Sequence, residues 1–559
     1  MPADDKNLLA YGDNLDVLRR YVRSESVDLV YLDPPFNSNA DYNLLYGYQD
    51  GRRAAAQIKA FKDTWRWDRA AVRSYEQIVE GGGQLSKTMQ AFRMMLGPSN
   101  LLAYLAMMAP RLVALHDTMK PTASIFLHCD PSAGSHLKLL MDAVFGADNF
   151  RNEVVWAYSN SGRPRDRYAQ KHDILLVYGR AASTYFNAKA ARVPYSQAYI
   201  DSHFRDVDEQ GRKVRRRFDA GKWRVYYPDE GMIPNDVWTD IPSLNSVARE
   251  RLGYPTQKPV ALLDRIIAGS CPPGGVVLDP FCGCGTAIVA AQRTGRRWIG
   301  IDITHHATAL IKNRLIDEYG PALAADIRII GEPTTVEDAR ILAADDPFQF
   351  QAWALGLVGA RPLNGVKHGA DRGIDGGLFF HESEGGITRQ ILISVKAGNT
   401  GPSHVRDLRG VVEREQAAIG VLISLAGPTA AMRSEAAEAG YYDLKGHRYP
   451  RLQLRTVADL LDGRGIEYPP TAETLFRPTI WPPEAVPTAP KKPKARRRKV
   501  AADQATWTTP GPEPRAADPS AAQRRREEYA RREADRKSER VSEPSPEAPR
   551  SPRTSRRDQ

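Results

Sequence analysis

The stretch GVVLDPFCGCGTAIVAAQRTGRRWIGID (Gly275–Asp302) decides how the rest of the chain is read. A short β-branched run ends at Asp279, a glycine-rich turn follows, then small and apolar residues suited to a helix. A second apolar run ends at Asp302, 23 residues after Asp279. Strand, glycine turn, helix, strand and acid is the layout for a nucleoside-containing ligand, whose ribose hydroxyls the last acid binds. The dinucleotide spacing fails, because the third position counted from Gly283 and Gly285 is Ile288. Close backbone approach is available, but not the packing expected around a pyrophosphate. A nucleoside cofactor without phosphates fits better.

Working outward, strand-like runs recur at Val27–Asp33, Ala123–Asp130 and Asp173–Gly179, separated by longer helical patterns. Leu101, Leu105, Met108, Leu112, Leu115 and Met119 fall on one face of a helix. Such alternation predicts an α/β domain over residues 1–330, with a mostly parallel sheet covered by helices on both faces. Two stretches interrupt it. Residues 37–99 carry Trp65, Trp67 and the run Gly81-Gly82-Gly83 with no clean period, and residues 181–234 are dense in Arg, Lys, Asp and Tyr. After a linker at 331–345, residues 346–470 form a second, smaller α/β block. Residues 471–559 collapse into runs such as PKKPKARRRK, where few apolar groups offset ordering entropy, so a disordered basic tail is predicted.

LVYLDPPF (Leu29–Phe36) sets Asp33-Pro34-Pro35-Phe36 at the C-terminal end of a strand, where open α/β sheets expose reactive groups. The prolines remove N–H donors, leaving carbonyls and the Asp33 carboxylate as acceptors beside the Phe36 ring. An acceptor-only corner suits a flat ligand offering an amino group, such as the exocyclic amine of a nucleobase.

DPPF followed by DPFCGCGT resembles the amino-methylating DNA methyltransferases that use S-adenosylmethionine, in the motif order of that family's beta group. YPTQKPVALLDRII (Tyr254–Ile267) is similar to the helix-bearing motif just before the family's cofactor loop, and LAYGDNLDVL (Leu9–Leu18) to its segment near the cofactor adenine. The resemblance covers about Asn7–Arg328 and implies a Rossmann-like fold with a seven-stranded, circularly permuted sheet. It implies catalysis by Asp33, Pro34, Pro35 and Phe36. Cofactor binding falls on Asp13, Lys258, Asp279, Pro280, Phe281, Gly283, Gly285, Thr286 and Asp302. Cys284 stands where serine is usual. Asp33, rather than serine, leans toward adenine N6 over cytosine N4, the same-fold alternative. Residues 181–234 sit where the family places target recognition. The partner implied is double-stranded DNA, with base flipping; a homodimer and a separate restriction-system partner are compatible with it. A prokaryotic cytoplasmic, nucleoid-associated setting follows. A DNA-binding or restriction protein using its methylase half only for recognition is the rival of another class, and the intact motifs count against it.

In the second block, GADRGIDGG (Gly369–Gly377) followed by QILISVKAG (Gln390–Gly398) resembles the PD-(D/E)xK nuclease core, in its Mrr-like branch. The resemblance puts Asp375, Ser394 and Lys396 in the site, with Asp375 holding Mg2+. Ser394 replaces the usual Glu or Gln, and a hydroxyl is a weaker ligand for a hard cation than a carboxylate. Two readings stay open, an active nuclease of a restriction–modification system and a DNA-binding relic of the fold.

GGGQLSKT (Gly81–Thr88) approaches a phosphate loop, but Ser86 occupies the second required glycine, so an ATPase is rejected. His128, His305 and His306 lack metal-ligand partners at useful spacing and read as structural. Four cysteines are too few for a disulfide scaffold, and no apolar run reaches membrane-spanning length. The formal net charge is +11, but residues 487–559 hold 20 Lys+Arg against 11 Asp+Glu. The remaining 58 basic and 56 acidic residues leave the body near +2. Bulk charge therefore reports the tail, a salt-sensitive arm for non-specific DNA contact.

Overall fold

The computed structural model describes residues 6–35, 66–158, 168–244, 256–362, 373–382, 388–444 and 446–469, with a few positions between them. Phe36, Trp65 and the stretch 471–559 lie outside the described residues. The chain divides into two units, Met1–Ile480 and Trp481–Gln559, and everything below concerns the first.

The chain enters on β1 (Asn7–Tyr11), turns into α1 (Asn14–Tyr21) and passes to β2 (Val27–Leu32), all six of whose residues are buried. Helix α2 (Asn100–Thr118) leads to β3 (Met119–Cys129), α3 (Pro131–Phe145), β4 (Phe150–Ala157) and β5 (His172–Gly179). A hairpin of β6 (Lys213–Asp219) and β7 (Lys222–Tyr226) belongs to a separate three-stranded sheet, and β8 (Val237–Trp238) returns beside β4. Then follow α4 (Val260–Ser270), β9 (Val276–Asp279), α5 (Thr286–Arg293), β10 (Arg297–Asp302), α6 (His305–Tyr319) and β11 (Ile327–Ile330).

The sheet has nine strands in the order β8-β4-β5-β3-β2-β9-β10-β1-β11. The seven from β4 to β1 are the expected core, and β8 and β11 extend its edges. Only β5 runs antiparallel to its neighbours β3 and β4; every other pairing is parallel. One face is covered by α1, α2 and α3 and the other by α4, α5 and α6, each over its own apolar cluster. The expected apolar stripe of α2 is there, but Leu102, Tyr104, Ala106 and Ala109 are buried too, because further helices pack over it. Those helices, Arg69–Glu80 and Gly83–Leu96, occupy the part of 37–99 that showed no clean period. Met89 and Phe92 from the second enter the core, and Gly82 and Gly83 take left-handed φ values of 69° and 74° to join the pair. The glycine run is a helix–helix corner, consistent with its rejection as a phosphate loop.

Residues 331–345, expected as a linker, carry the helix Val336–Asp345, started by a Thr335/Asp338 capping box. Its Ala339 and Ala343 are buried in the core of the second block, so most of this stretch belongs to that block. Helix α7 (Pro347–Leu357) comes next, then β12 (Gly376–His381), β13 (Thr388–Lys396), α8 (Pro402–Arg414), β14 (Ile419–Ser424) and β15 (Leu452–Thr456). These strands form a sheet with Arg361–Pro362 at its edge, antiparallel at β12–β13 and parallel from β13 to β15. Helix α7 also packs on α6, where a Cβ on Gly356 would lie 2.7 Å from that of Ala309. Among the described residues, no helix is long and apolar enough to cross a membrane.

At the start of α6, the His305 backbone N–H donates to Gln349 Oε1 of α7 at 3.1 Å. The His305 ring is 1% exposed, stacks on Tyr11 with centroids 3.5 Å apart, and has no hydrogen-bond partner for either nitrogen among the described residues. Burial lowers its pKa from 6.5 to about 3. Between those values the unfolded chain binds a proton that the folded chain refuses, so stability falls as pH falls from 6.5. The His305 contribution to that loss approaches ~1.4 kcal/mol per pH unit. His305→Phe is expected to lose stability less steeply than the wild type between pH 6.5 and 5, measured by denaturant titration; parallel slopes would overturn this.

Candidate active site

Asp33 lies one residue beyond β2 and Asp279 is the last residue of β9. The parallel register Leu29–Val277 and Val30–Leu278 makes these strands neighbours, so the two acids emerge at the same C-terminal edge. Strand order reverses direction here, which opens a crevice in doubly wound sheets. A cavity at this point is lined by Tyr31, Asp33, Lys258, Asp279, Gly283 and Thr286, among others. Asp33 of the DPPF segment and residues of the DPFCGCGT segment therefore line one cavity, and Pro34 is buried.

Lys258 Nζ lies 2.5 Å from Asp33 Oδ2, the lysine side chain 11% and the aspartate 13% exposed. Asp33 Oδ1 is buried and has no hydrogen-bond partner among the described residues. A buried unpaired carboxylate oxygen costs several kcal/mol relative to a satisfied one, and such groups recur where a ligand completes the set. Lys258, expected at the cofactor, thus contacts Asp33, the expected catalytic acid, while lining the same cavity as the Asp279–Thr286 loop.

In that loop, Asp279 Oδ1 accepts from Phe281 N–H at 3.0 Å, and the Pro280 carbonyl accepts from Asn14 Nδ2 at 2.8 Å. Burial pushes the Asp279 carboxyl well up, with the Phe281 N–H opposing the shift. Asp302 stitches the loop rather than standing apart from it. Its Oδ2 accepts from Gly283 N–H at 2.9 Å, and its Oδ1 accepts from the Thr304 N–H and hydroxyl. The Ile303 N–H also bonds this carboxylate, so the turn after β10 and the glycine loop are held by one side chain. Gly283 (φ 48°) passes under Tyr254, and a Cβ would sit 3.1 Å from that ring. At Gly285 (φ 76°) a Cβ would lie 2.6 Å from Ile311 Cγ1 of α6, so this glycine serves helix packing as well as the turn. The Thr286 hydroxyl donates to the Lys258 carbonyl at 3.3 Å. Cys282 and Cys284 are buried and burial raises both thiols, which makes them filling rather than nucleophiles.

Asp13 is the N-cap of α1, accepting from Leu15 N–H at 2.8 Å, and its other oxygen pairs with Arg111 Nη2 at 2.5 Å. Arg111 Nε also donates to Asn14 Oδ1 at 2.6 Å. Arg111 and Asn14, which sequence reasoning did not single out, thereby tie α1 and α2 to the cofactor loop. Ile303, directly after Asp302, is 46% exposed and offers an apolar surface beside that acid.

Behind Asp33 runs a buried polar chain that the sequence also concealed. The Tyr31 hydroxyl meets His128 Nδ1 at 2.9 Å, His128 Nε2 meets Asp173 Oδ2 at 3.0 Å, and the Tyr158 hydroxyl donates to Asp173 Oδ1 at 2.9 Å. His128 is fully buried. It is structural in the sense that it joins the ends of β2, β3 and β5. Burial would raise the Asp173 carboxyl, but the hydrogen bond and charge of His128, with the Lys258 charge and the Tyr158 hydrogen bond, together lower its pKa.

In the second block Asp375, Ser394 and Lys396 do come together. Asp375 Oδ2 accepts from Val395 N–H at 2.6 Å and Ser394 Oγ at 3.2 Å, with Lys396 Nζ at 3.7 Å. Asp375 Oδ1 accepts from Gln351 Nε2 of α7 at 2.5 Å. Four donors converge on one carboxylate that is only 9% exposed. Hard dications need several anionic or carbonyl oxygens, so this donor-rich set does not fit Mg2+. Among the described residues, no group of three or more His, Cys, Asp or Glu is placed to hold a metal.

A model of the N6/N4 DNA methylase family matches residues 27–313, just over half of the chain. The chain belongs to that family. Residues 349–462 match a second model, described as NACHT-associated inactive Restriction Endonuclease 1. The chain is similar to the StyLTI Mod subunit of a type III restriction-modification enzyme from Salmonella typhimurium, 26% identical over 359 residues. That alignment takes in 51% of this chain and 50% of the Mod subunit, so the chain spans about half of that relative's length. It is also similar to the DNA adenine methyltransferase YhdJ of Escherichia coli, 25% identical over 302 residues, covering 54% of this chain and 79% of YhdJ. Among solved structures, the cytosine-N4-specific PvuII DNA methyltransferase aligns with 57% of this chain and 91% of its own, at 14% identity and a TM-score of 0.34.

His128→Phe is expected to cost about 1–3 kcal/mol, because the Tyr31 hydroxyl loses its buried partner. The shift in urea midpoint at unchanged m measures it. A variant within about 0.5 kcal/mol of wild type, the range of ordinary surface changes, would show that the chain carries no such load.

Proposed function

We propose that this chain is a site-specific DNA methyltransferase that moves a methyl group from S-adenosylmethionine to the exocyclic amine of a flipped base, adenine N6. The observation that carries the reading is Asp33, whose buried Oδ1 has no hydrogen-bond partner among the described residues, lining one cavity with the Asp279–Thr286 loop. The residues present suit such a cofactor. Asp302 is an acid at the position for a ribose hydroxyl, Ile303 offers an apolar face for adenine, and Lys258 is a cation for a carboxylate. S-adenosylmethionine supplies an electrophilic methyl group on a sulfonium sulfur.

The target base leaves its stack at a cost of a few kcal/mol, and Phe36 receives the ring. Asp33 Oδ1 and the Pro34 carbonyl accept the amine hydrogens. This holds the nitrogen lone pair out of ring conjugation and aimed at the methyl carbon. As the N–C bond forms and the C–S bond breaks, the nitrogen becomes positive, and the Asp33 carboxylate stabilises that charge before taking the surplus proton. The interaction strengthens as charge develops, so it lowers the barrier rather than only tightening binding. Residues 181–234 contact the duplex, with Arg216, Arg217, Lys222 and Arg224 exposed on the β6–β7 hairpin.

The second block is a restriction-endonuclease-like fold that no longer cleaves. The donors crowding Asp375 support this, as does the match to an inactive endonuclease model. The setting is a prokaryotic restriction–modification system, with double-stranded DNA as substrate and a separate cleaving partner.

Asp33→Ala is expected to abolish transfer of labelled methyl groups to DNA while still binding S-adenosylhomocysteine; full transfer would refute the assignment. Mass spectrometry of nucleosides from DNA methylated by the wild type should show N6-methyladenine, whereas N4-methylcytosine would replace the adenine reading. Supercoiled plasmid incubated with the chain and Mg2+ should stay intact, and nicking that disappears in Lys396→Ala would establish an active nuclease.

A further inference from the structure

Lys258 and Asp33 are 225 residues apart, yet their charged groups meet in a largely buried place. The lysine backbone is held on both sides of that contact. The Thr286 hydroxyl binds its carbonyl, and the neighbouring Gln257 side chain accepts from Leu252 N–H at 2.7 Å and donates to the Glu250 carbonyl at 2.5 Å. What can move is the four-carbon stem. Its ammonium lies in the field of Asp33, Asp173 and Asp279 together, so more than one direction is electrostatically open to it.

The pair conflicts with the chemistry assigned to Asp33. An ammonium N–H takes the same kind of acceptor position as an amine N–H, and it is the stronger donor. While Lys258 holds Oδ2, one of the two Asp33 oxygens is spent. A positive charge beside Asp33 also offsets the negative charge that would stabilise the nitrogen as it becomes positive, which opposes transfer. The lysine borders, in the same cavity, the loop that takes the methyl donor. That donor carries one carboxylate, at the end of its amino-acid portion.

We propose that Lys258 is an exchangeable latch: its ammonium leaves Asp33 Oδ2 for the carboxylate of the bound methyl donor, so that Asp33 offers the base its full negative charge and both oxygens only after the cofactor is in place. This rests on the methyltransferase reading above. It makes the order of binding a consequence of charge pairing. No protein charge is created or lost in the exchange, because the ammonium trades one carboxylate for another. Asp33 and the cofactor therefore compete for a single cation, and removing either competitor must strengthen the remaining pair.

Calorimetric titration of the full-length protein tests this with two ligands, S-adenosylhomocysteine, which has the carboxylate, and 5′-methylthioadenosine, which lacks the amino-acid portion. Lys258→Met is expected to weaken S-adenosylhomocysteine about tenfold while leaving 5′-methylthioadenosine within about twofold, which also shows that the site is still folded. Asp33→Ala is expected to tighten S-adenosylhomocysteine several-fold, a gain that a merely structural Lys258–Asp33 pair does not produce. Unchanged S-adenosylhomocysteine affinity in Lys258→Met, or no tightening in Asp33→Ala, would overturn the latch. Loss of both ligands in Lys258→Met would also overturn it, in favour of a structural role. Failure of the wild type to bind either nucleoside would instead refute the cofactor assignment, a separate result.

Discussion

The parallel pairing of β2 with β9 is the constraint on which the rest of the structure depends. Two strands nearly 250 residues apart lie in register at Leu29–Val277 and Val30–Leu278, and both end in a short acid-bearing loop. Because parallel strands share a direction, both loops leave at one edge. The sheet order reverses between them, so the helices that follow depart to opposite faces and leave a crevice. Asp33 and Asp279 meet there because of backbone geometry rather than mutual attraction. Two carboxylates at that depth repel, and the surrounding groups answer that repulsion.

The answers differ from acid to acid. Asp33 is met by the Lys258 ammonium, Asp279 by the Phe281 N–H, Asp302 by Gly283 and Thr304, and Asp173 by His128 and Tyr158. Backbone N–H and hydroxyl donors are fixed in place and rigidify the loop that carries them. A lysine is a mobile point charge on a flexible stem. Of these four acids, the one with a mobile partner is the one proposed for the chemistry. This difference in partner type separates a residue that must change contacts from residues that must hold still.

The second block shows the opposite treatment of an acid. Asp375 comes just before β12, beside the C-terminal end of β13, and four donors from α7 and β13 converge on it. Gln351 supplies one of them. Two residues earlier on the same helix, Gln349 accepts from the backbone at the start of α6. Helix α7 thus closes the acid site of its own sheet and is pinned to the first. The stretch 331–345 could not be recognised as part of this block from composition, because Ala339 and Ala343 look unremarkable until a core surrounds them.

The sequence by itself determined the α/β class, the identity of both acid-bearing loops and their order, since glycines, prolines and apolar runs act through local backbone preferences. It also brought Asp375, Ser394 and Lys396 forward as one group. Short β1 and alternating β4 escaped that reading, as did the two helices within 37–99, because burial there comes from neighbours distant in the chain. Only the tertiary structure decided that Lys258 faces Asp33, that Gln351 closes the second site, and that Tyr31, His128 and Asp173 form one chain. Arg111 and Asn14 likewise gained their roles only through distant contacts. Side-chain pairing between remote segments depends on where the sheet order and helix packing bring them, and no local pattern of residues encodes that distance.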